Sequence, residues 1–195
     1  MKRDIILSGV GGQGILSIAT VIGKAALNEG LNIKQAEVHG MSQRGGDVQS
    51  NLRISSEPIA SDLIPHGKAD IILSLEPMEA LRYLPWLAKD GWIVTNITPF
   101  VNIDNYPAME ALEKELKALP QVIVIDVDKI AKEIAAPRAA NIVLLGAAAP
   151  LLHIEAAKLE QGIRDIFARK GEQIVESNLT AFRAGYEYAQ KSMNR

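Results

Sequence analysis

Residues 5–28 constrain the fold more than any other stretch of this chain. Ile5-Ile6-Leu7-Ser8-Gly9 is a short apolar run without helical period that ends on glycine, the pattern of a buried strand. Gly9-Val10-Gly11-Gly12-Gln13-Gly14 follows and fits the spacing GxGxxG. From Ile15 to Asn28 apolar residues recur at Ile15, Ile18, Ala19, Ile22 and Ala26, a helical spacing. Asn28-Glu29-Gly30 supplies the stop, with Gly30 suited to the residue just past a helix end. Asn32 to Glu37 reads as a second strand. Strand, glycine turn, helix and strand in that order make the front half of a βαβ unit.

The rest of the chain continues the alternation. Val38 to Gly46 is polar and glycine-rich, so it reads as a loop. Val48 to Ile54 alternates apolar and polar residues, which predicts a half-buried strand paired antiparallel at a sheet edge. Strands are expected at Asp70 to Leu75, Gly91 to Asn96 and Val122 to Asp126. Helices are expected from Glu76-Pro77 through Leu84 and from Met109 to Leu119. Leu144 to Leu152 is apolar nearly all round, which predicts a helix buried against the sheet or against a partner. Two amphipathic helices follow, Glu155 to Lys170 and Gln173 to Gln190. The expected fold is a three-layer α/β/α sandwich with a mostly parallel sheet, a Rossmann-like start and at least one antiparallel strand. With no repeat and no low-complexity linker, residues 1–195 read as a single domain.

Composition removes whole classes of function. The 195 residues are 48% hydrophobic and 23% charged, an ordinary globular balance that argues against disorder. The net charge of −2 and the lack of a long basic run speak against a nucleic-acid surface. There is no cysteine, which excludes disulfides, cysteine-held clusters, thiolate zinc sites and a cysteine nucleophile in this sequence. His39, His66 and His153 show no metal-ligand spacing. The run after Met1-Lys2-Arg3 breaks at Gly9, too short for a signal peptide, and the longest apolar stretch, Ile142 to Leu152, is too short for a bilayer span. The expectation is a cytoplasmic protein without a membrane segment. No Ser-His-Asp set, P-loop or pair of catalytic carboxylates stands out, so no residue is assigned to catalysis.

Two constellations carry chemistry. In the first, Gly9 permits a tight turn, Gly11 lets backbone approach a phosphate, and Gly14 allows close helix–strand packing. Gly12 and Gln13 complete the turn, and the helix start behind it offers free N–H groups to an anion. In a dinucleotide site the acid ending the second strand would bind ribose, and here that is Glu37. The plain alternative is a turn that only packs. The second constellation is Glu37-Val38-His39-Gly40-Met41-Ser42-Gln43-Arg44-Gly45-Gly46-Asp47. It leaves the carboxyl end of the second strand, where open α/β sheets present ligands. Arg44 could clamp a phosphate or carboxylate with its fork of donors, and Gly45 and Gly46 could expose N–H groups beside Ser42 and Gln43. The bland counterpart is a connection whose arginine pairs with Glu37 or Asp47. His39 is either a general base or a hydrogen-bonded structural residue. Asn141 reads as a helix cap or a ligand contact, and Tyr186 and Tyr188 as core and interface residues.

Together these two motifs resemble the gamma-type subunit of 2-oxoacid:ferredoxin oxidoreductases. The second motif is the specific part, and the likeness extends through the Asp70 to Glu76 strand and the Asn141 to Gly146 segment to nearly the whole chain. The resemblance implies a larger partner subunit carrying thiamine diphosphate and iron–sulfur clusters. It implies oxidative decarboxylation of an aryl 2-oxoacid to an acyl-CoA with electrons passed to ferredoxin. It places this type of domain on the coenzyme A side of the site, with Gly9, Gly11, Gly12, Gln13, Gly14, Glu37, His39, Ser42, Gln43, Arg44, Gly45 and Gly46 as candidate contacts. A cysteine-free chain without a thiamine-binding GDG fits that division of labour and would not act alone. Two other readings stand beside it: a free-standing NAD(P)-dependent dehydrogenase, and a non-enzymatic scaffold that docks a partner through its apolar helices.

Overall fold

The computed structural model describes residues 1–39 and 45–194. In chain order the elements are β1 (Lys2–Val10), α1 (Ile15–Asn28), β2 (Asn32–His39), β3 (Asp47–Ser55), β4 (Ala69–Ser74), α2 (Pro77–Arg82), β5 (Leu87–Asn96), α3 (Met109–Lys117), β6 (Val122–Ile125), α4 (Val127–Glu133), α5 (Ala140–Ala148), α6 (Ala156–Phe167) and α7 (Glu172–Met193). The strands form one six-stranded sheet in the order β2-β3-β1-β4-β5-β6. Only β3 runs against the others, pairing antiparallel with β1 on one side and β2 on the other. The α/β sandwich with a mostly parallel sheet is therefore as the sequence predicts.

Alternation along the strands divides the core. Ile5 and Leu7 of β1, Ile71 and Leu73 of β4 and Val94 of β5 face one apolar layer with α1, α4, α5, α6 and α7. Ile6, Ile72 and Ile93 face the other, with Ala80 of α2 and Leu116 of α3. The β1-to-β2 crossover thus passes over one face and the β4-to-β5 crossover over the other. Between β1 and β4 the winding reverses, and the sheet opens a crevice at the carboxyl ends of those two strands.

One expectation needs correction, one is decided between its two alternatives, and one helix was not expected. The 48–54 strand is internal, because β2 takes the edge beyond it. Its alternation arises because Leu52 and Ile54 meet the apolar layer while Asp47, Asn51 and Arg53 meet polar partners on the other face. The apolar 144–152 stretch needs no partner: Ile142–Ala149 are all buried, between the sheet and α7. Its helix starts earlier, at Ala140, and ends in a single tight turn over Ala149–Leu151. This removes the reason for a scaffold that docks through that segment. Helix α4 escapes sequence reading. At 7 residues it is too short to establish a period, and its marker is Asp126, whose side chain caps it by accepting from the N–H of Lys129 at 2.9 Å. No helix among the described residues is long and apolar enough to cross a membrane.

Candidate functional site

The glycine turn sits at the switch-point crevice, and Gln13 spans it. Its Oε1 accepts from the N–H of Val10 at 2.7 Å and its Nε2 donates to the carbonyl of Leu75 at 3.1 Å, so one side chain ties the end of β1 to the end of β4. Gly9 makes room for this: a Cβ there would lie 2.8 Å from Gln13 Oε1 and 2.6 Å from Ile15 Cδ1. Gly14, the residue before α1, has φ of 91°. Behind it Asn141 of α5 donates to its carbonyl at 3.1 Å and fills the place a Cβ would take. Asn141 is therefore neither cap nor free ligand contact but a buttress of the turn. The cap position of α5 belongs to Ala139, which has no capping side chain.

Gly11 differs from the sequence expectation. Its N–H donates to the carbonyl of Gly46 at 2.8 Å, and its own carbonyl accepts from the N–H of Gly45 at 3.2 Å. The two sequence motifs are thus joined by one rung that extends the β1–β3 ladder, and the amide of Gly11 is spent in it. The open point is Gly12: it is exposed, with φ of 103° and nothing within 4 Å of a Cβ there. Among the described residues nothing accepts from the N–H groups of Gly12, Gly14, Ile15 or Leu16. These donors and the positive end of α1 make a cradle for an anionic group.

The structure therefore brings together Gly9, Gly11, Gly12, Gln13, Gly14, Gly45 and Gly46. Glu37 is elsewhere. It pairs with Ser50 of β3, is exposed, and lies two strand spacings from β1, roughly 10 Å. A ribose-binding acid would need the adjacent strand, so the inserted β3 breaks the dinucleotide geometry. Ser42, Gln43, Arg44 and the side chain of His39 lie outside the described residues.

Sequence reading found no paired carboxylates, yet the fold makes a pair beside this rung. Tyr83 donates its hydroxyl to Asp47 at 2.9 and 3.1 Å, and Arg82 reaches both oxygens of Glu79, at 2.7 and 3.2 Å. Asp47 and Glu79 are 32 residues apart in sequence, so no local spacing could announce them. Glu79 is 3% exposed. Burial, against the pull of Arg82 and with help from the Asp47 charge, pushes its carboxyl up from 4.5 to about 7. The folded state then holds a proton that the unfolded state has already released between these values, so stability falls as pH rises through that window. The loss is on the order of 3 kcal/mol in total. Glu79→Gln, neutral throughout, is expected to flatten urea-denaturation stability between pH 5 and 7 and to exceed wild type at pH 8. The depressed His153 imidazole pulls the wild-type curve the other way over part of this range, so the test is the difference: equal pH slopes for wild type and Glu79→Gln would contradict this placement of the proton.

Two cavities lie at the opposite, amino-terminal end of the sheet, of about 560 and 310 Å³. Their arginines are already engaged: Arg53 by Asp4 and the carbonyls of Ser61 and Leu63, Arg3 by His153 and Asp70. The open amides of Gly12, Gly14, Ile15 and Leu16 lie at the other, carboxyl end.

A doubly wound, mostly parallel sheet with a glycine turn and a helix N-terminus at its switch point defines an α/β domain. Residues 4–188 match the model of the pyruvate ferredoxin/flavodoxin oxidoreductase family, and the chain belongs to that family. It is 37% identical to the indolepyruvate oxidoreductase subunit IorB of Archaeoglobus fulgidus, over 97% of this chain and 96% of that one. The IorB subunit of Pyrococcus horikoshii is 36% identical over 99% and 98%. In fold it resembles the 2-oxoglutarate:ferredoxin oxidoreductase of Magnetococcus marinus, solved with 2-oxoglutarate, coenzyme A and succinyl-CoA bound. That likeness has a TM-score of 0.76 at 24% identity and covers 97% of this chain and 31% of the longer one.

Proposed function

We propose that this chain is the small, cluster-free subunit of an indolepyruvate-type 2-oxoacid:ferredoxin oxidoreductase and that its cradle receives the anionic part of coenzyme A. The reaction converts an aryl 2-oxoacid and coenzyme A to acyl-CoA and carbon dioxide, with two electrons passing to ferredoxin. A larger subunit holds the thiamine diphosphate and the iron–sulfur clusters, for which this chain has no cysteine ligands. Residues 1–195 act as one domain, in the cytoplasm. The observation that carries this reading is the cradle itself: open amides at Gly12 and Gly14 and the start of α1, joined by a backbone rung to Gly45 and Gly46. The full-length match to the two IorB subunits supplies the substrate class. The NAD(P) alternative loses support, because the Gly11 amide is already bonded and Glu37 sits one strand too far away.

The test is co-expression with the larger subunit and assay of ferredoxin reduction. Assembly of a brown complex whose indolepyruvate oxidation needs coenzyme A supports the reading. Failure to assemble, or turnover indifferent to coenzyme A, sinks it. Within that complex, Arg44→Ala should weaken coenzyme A binding about 10- to 150-fold, the worth of a charge-assisted contact of about 1.5 to 3 kcal/mol. Arg44→Lys should recover only part of it, since the fork of donors is lost. A subunit-affinity defect with normal coenzyme dependence would instead make Arg44 an intersubunit ion-pair partner.

A further inference from the structure

We propose that residues 97–106, the segment following β5, form a strap that fixes the shape of the coenzyme cradle, with Asn102, Tyr106 and Glu76 as its positioning residues. The proposal rests on the coenzyme reading above. Its first support is Glu76, a fully buried carboxyl group at the end of β4. One oxygen caps α2 by accepting from the N–H of Glu79 at 2.8 Å. The other accepts from the N–H of Phe100 at 3.3 Å and from the hydroxyl of Tyr106. The strap is thus tied to one carboxyl group on either side of Asn102, at Phe100 and at Tyr106, and burial with that group pushes the Tyr106 phenol up.

The second support is where the tip lands. Asn102 Nδ2 donates to the carbonyl of Gly45 at 2.6 Å. The N–H of Gly45 already donates to Gly11, so Asn102 completes the bonding of the rung that joins the two glycine motifs. Apolar packing does not hold the tip: Phe100, Val101 and Ile103 are 40, 67 and 42% exposed. Its position depends on these few polar bonds, the kind of segment that opens locally at low cost. Loosening the strap should therefore loosen the rung and leave the core intact.

The experiment compares Asn102→Ala, Asn102→Gln and Tyr106→Phe with wild type. In the isolated chain, amide exchange should rise in peptides covering 97–106 and 45–47 for Asn102→Ala and Tyr106→Phe; the melting temperature should stay nearly unchanged for Asn102→Ala and fall by a few degrees for Tyr106→Phe, which takes a donor from the buried Glu76 carboxyl. In the assembled complex, the KM for coenzyme A should rise about 3- to 10-fold, the worth of one neutral hydrogen bond. The indolepyruvate KM and kcat should stay within about twofold of wild type. Asn102→Gln keeps the donor and should restore part of the coenzyme KM. An unchanged coenzyme KM in an active complex overturns the strap, as does an equal fall in every kinetic constant. A wild-type complex without coenzyme-dependent turnover overturns the functional reading itself, and the exchange result then decides whether the strap still orders the rung.

Discussion

Gly185→Ala is expected to cost at least about 3 kcal/mol and to lower the melting temperature by about 6 to 12 °C. At this point α5 and α7 touch backbone to backbone. A Cβ on Gly185 would stand inside contact distance of the Val143 carbonyl and 2.9 Å from the Ala147 nitrogen. The relation is reciprocal, because a Cβ on Gly146 would collide with the Phe182 carbonyl and lie 3.0 Å from the Tyr186 nitrogen. Neither helix can yield. Residues Ile142–Ala149 are buried on every side, and moving α7 outward would unpack Val175, Leu179, Phe182 and Ala189. Backbone atoms have no rotamer to change, so the added methyl must separate two helices. Gly23→Ala is the control. It lies inside α1 with only Ile33 Cδ1 at 3.8 Å, and it should stabilise by about 0.5 to 1 kcal/mol. A Gly185→Ala protein that melts with wild type would mean that α5 and α7 do not cross this closely.

Gln13→Ala should destabilise by about 1 to 3 kcal/mol, chiefly through the N–H of Val10 left without a partner, since the carbonyl of Leu75 keeps a longer bond from Asn96 Nδ2 at 3.4 Å. The N–H of Val10 and the carbonyl of Leu75 belong to buried residues at the ends of β1 and β4, and the Gln13 amide serves both. Gln13→Glu separates the two contributions. An ionised carboxylate still accepts from Val10 but faces the Leu75 carbonyl with no donor, so this variant should be the weaker one at pH 8. Protonation at low pH returns a donor and should bring it back toward wild type. Chemical denaturation at pH 5 and pH 8 decides the matter; equal losses at both values would mean that Gln13 does not bridge the two strands. In the assembled complex the same substitutions should raise the KM for coenzyme A, because the turn that presents Gly12 and the α1 amides hangs on this bridge.

The local signals of the chain carried much of this. The apolar run at Ile5–Leu7, the glycine turn and the 3.6-residue period of Ile15 to Ala26 depend on neighbours in sequence, so they are legible there. The same holds for the carboxyl-end location of both motifs, which follows from the way open α/β sheets are wound. The apolar, glycine-containing segment that became α5 announced its burial, since no face of it was polar.

Pairings between distant residues were decided only by the tertiary structure. Nothing near Val48 tells it to pair with both β1 and β2, because strand order is set by how the whole sheet buries its faces, and that choice displaced Glu37. The amide of Gly11 looked open in sequence and was taken by Gly46, 35 residues away. Asp47 with Glu79 and Tyr83, and Glu76 with Tyr106, likewise meet across 30 residues of chain or more, where the sequence leaves no local trace of the contact. The sequence determined that a glycine turn would close the carboxyl end of β1 and open a helix. Only the packed sheet decided which amides remain unspent in it, because hydrogen-bonding capacity is allotted by neighbours in space and not by neighbours in the chain.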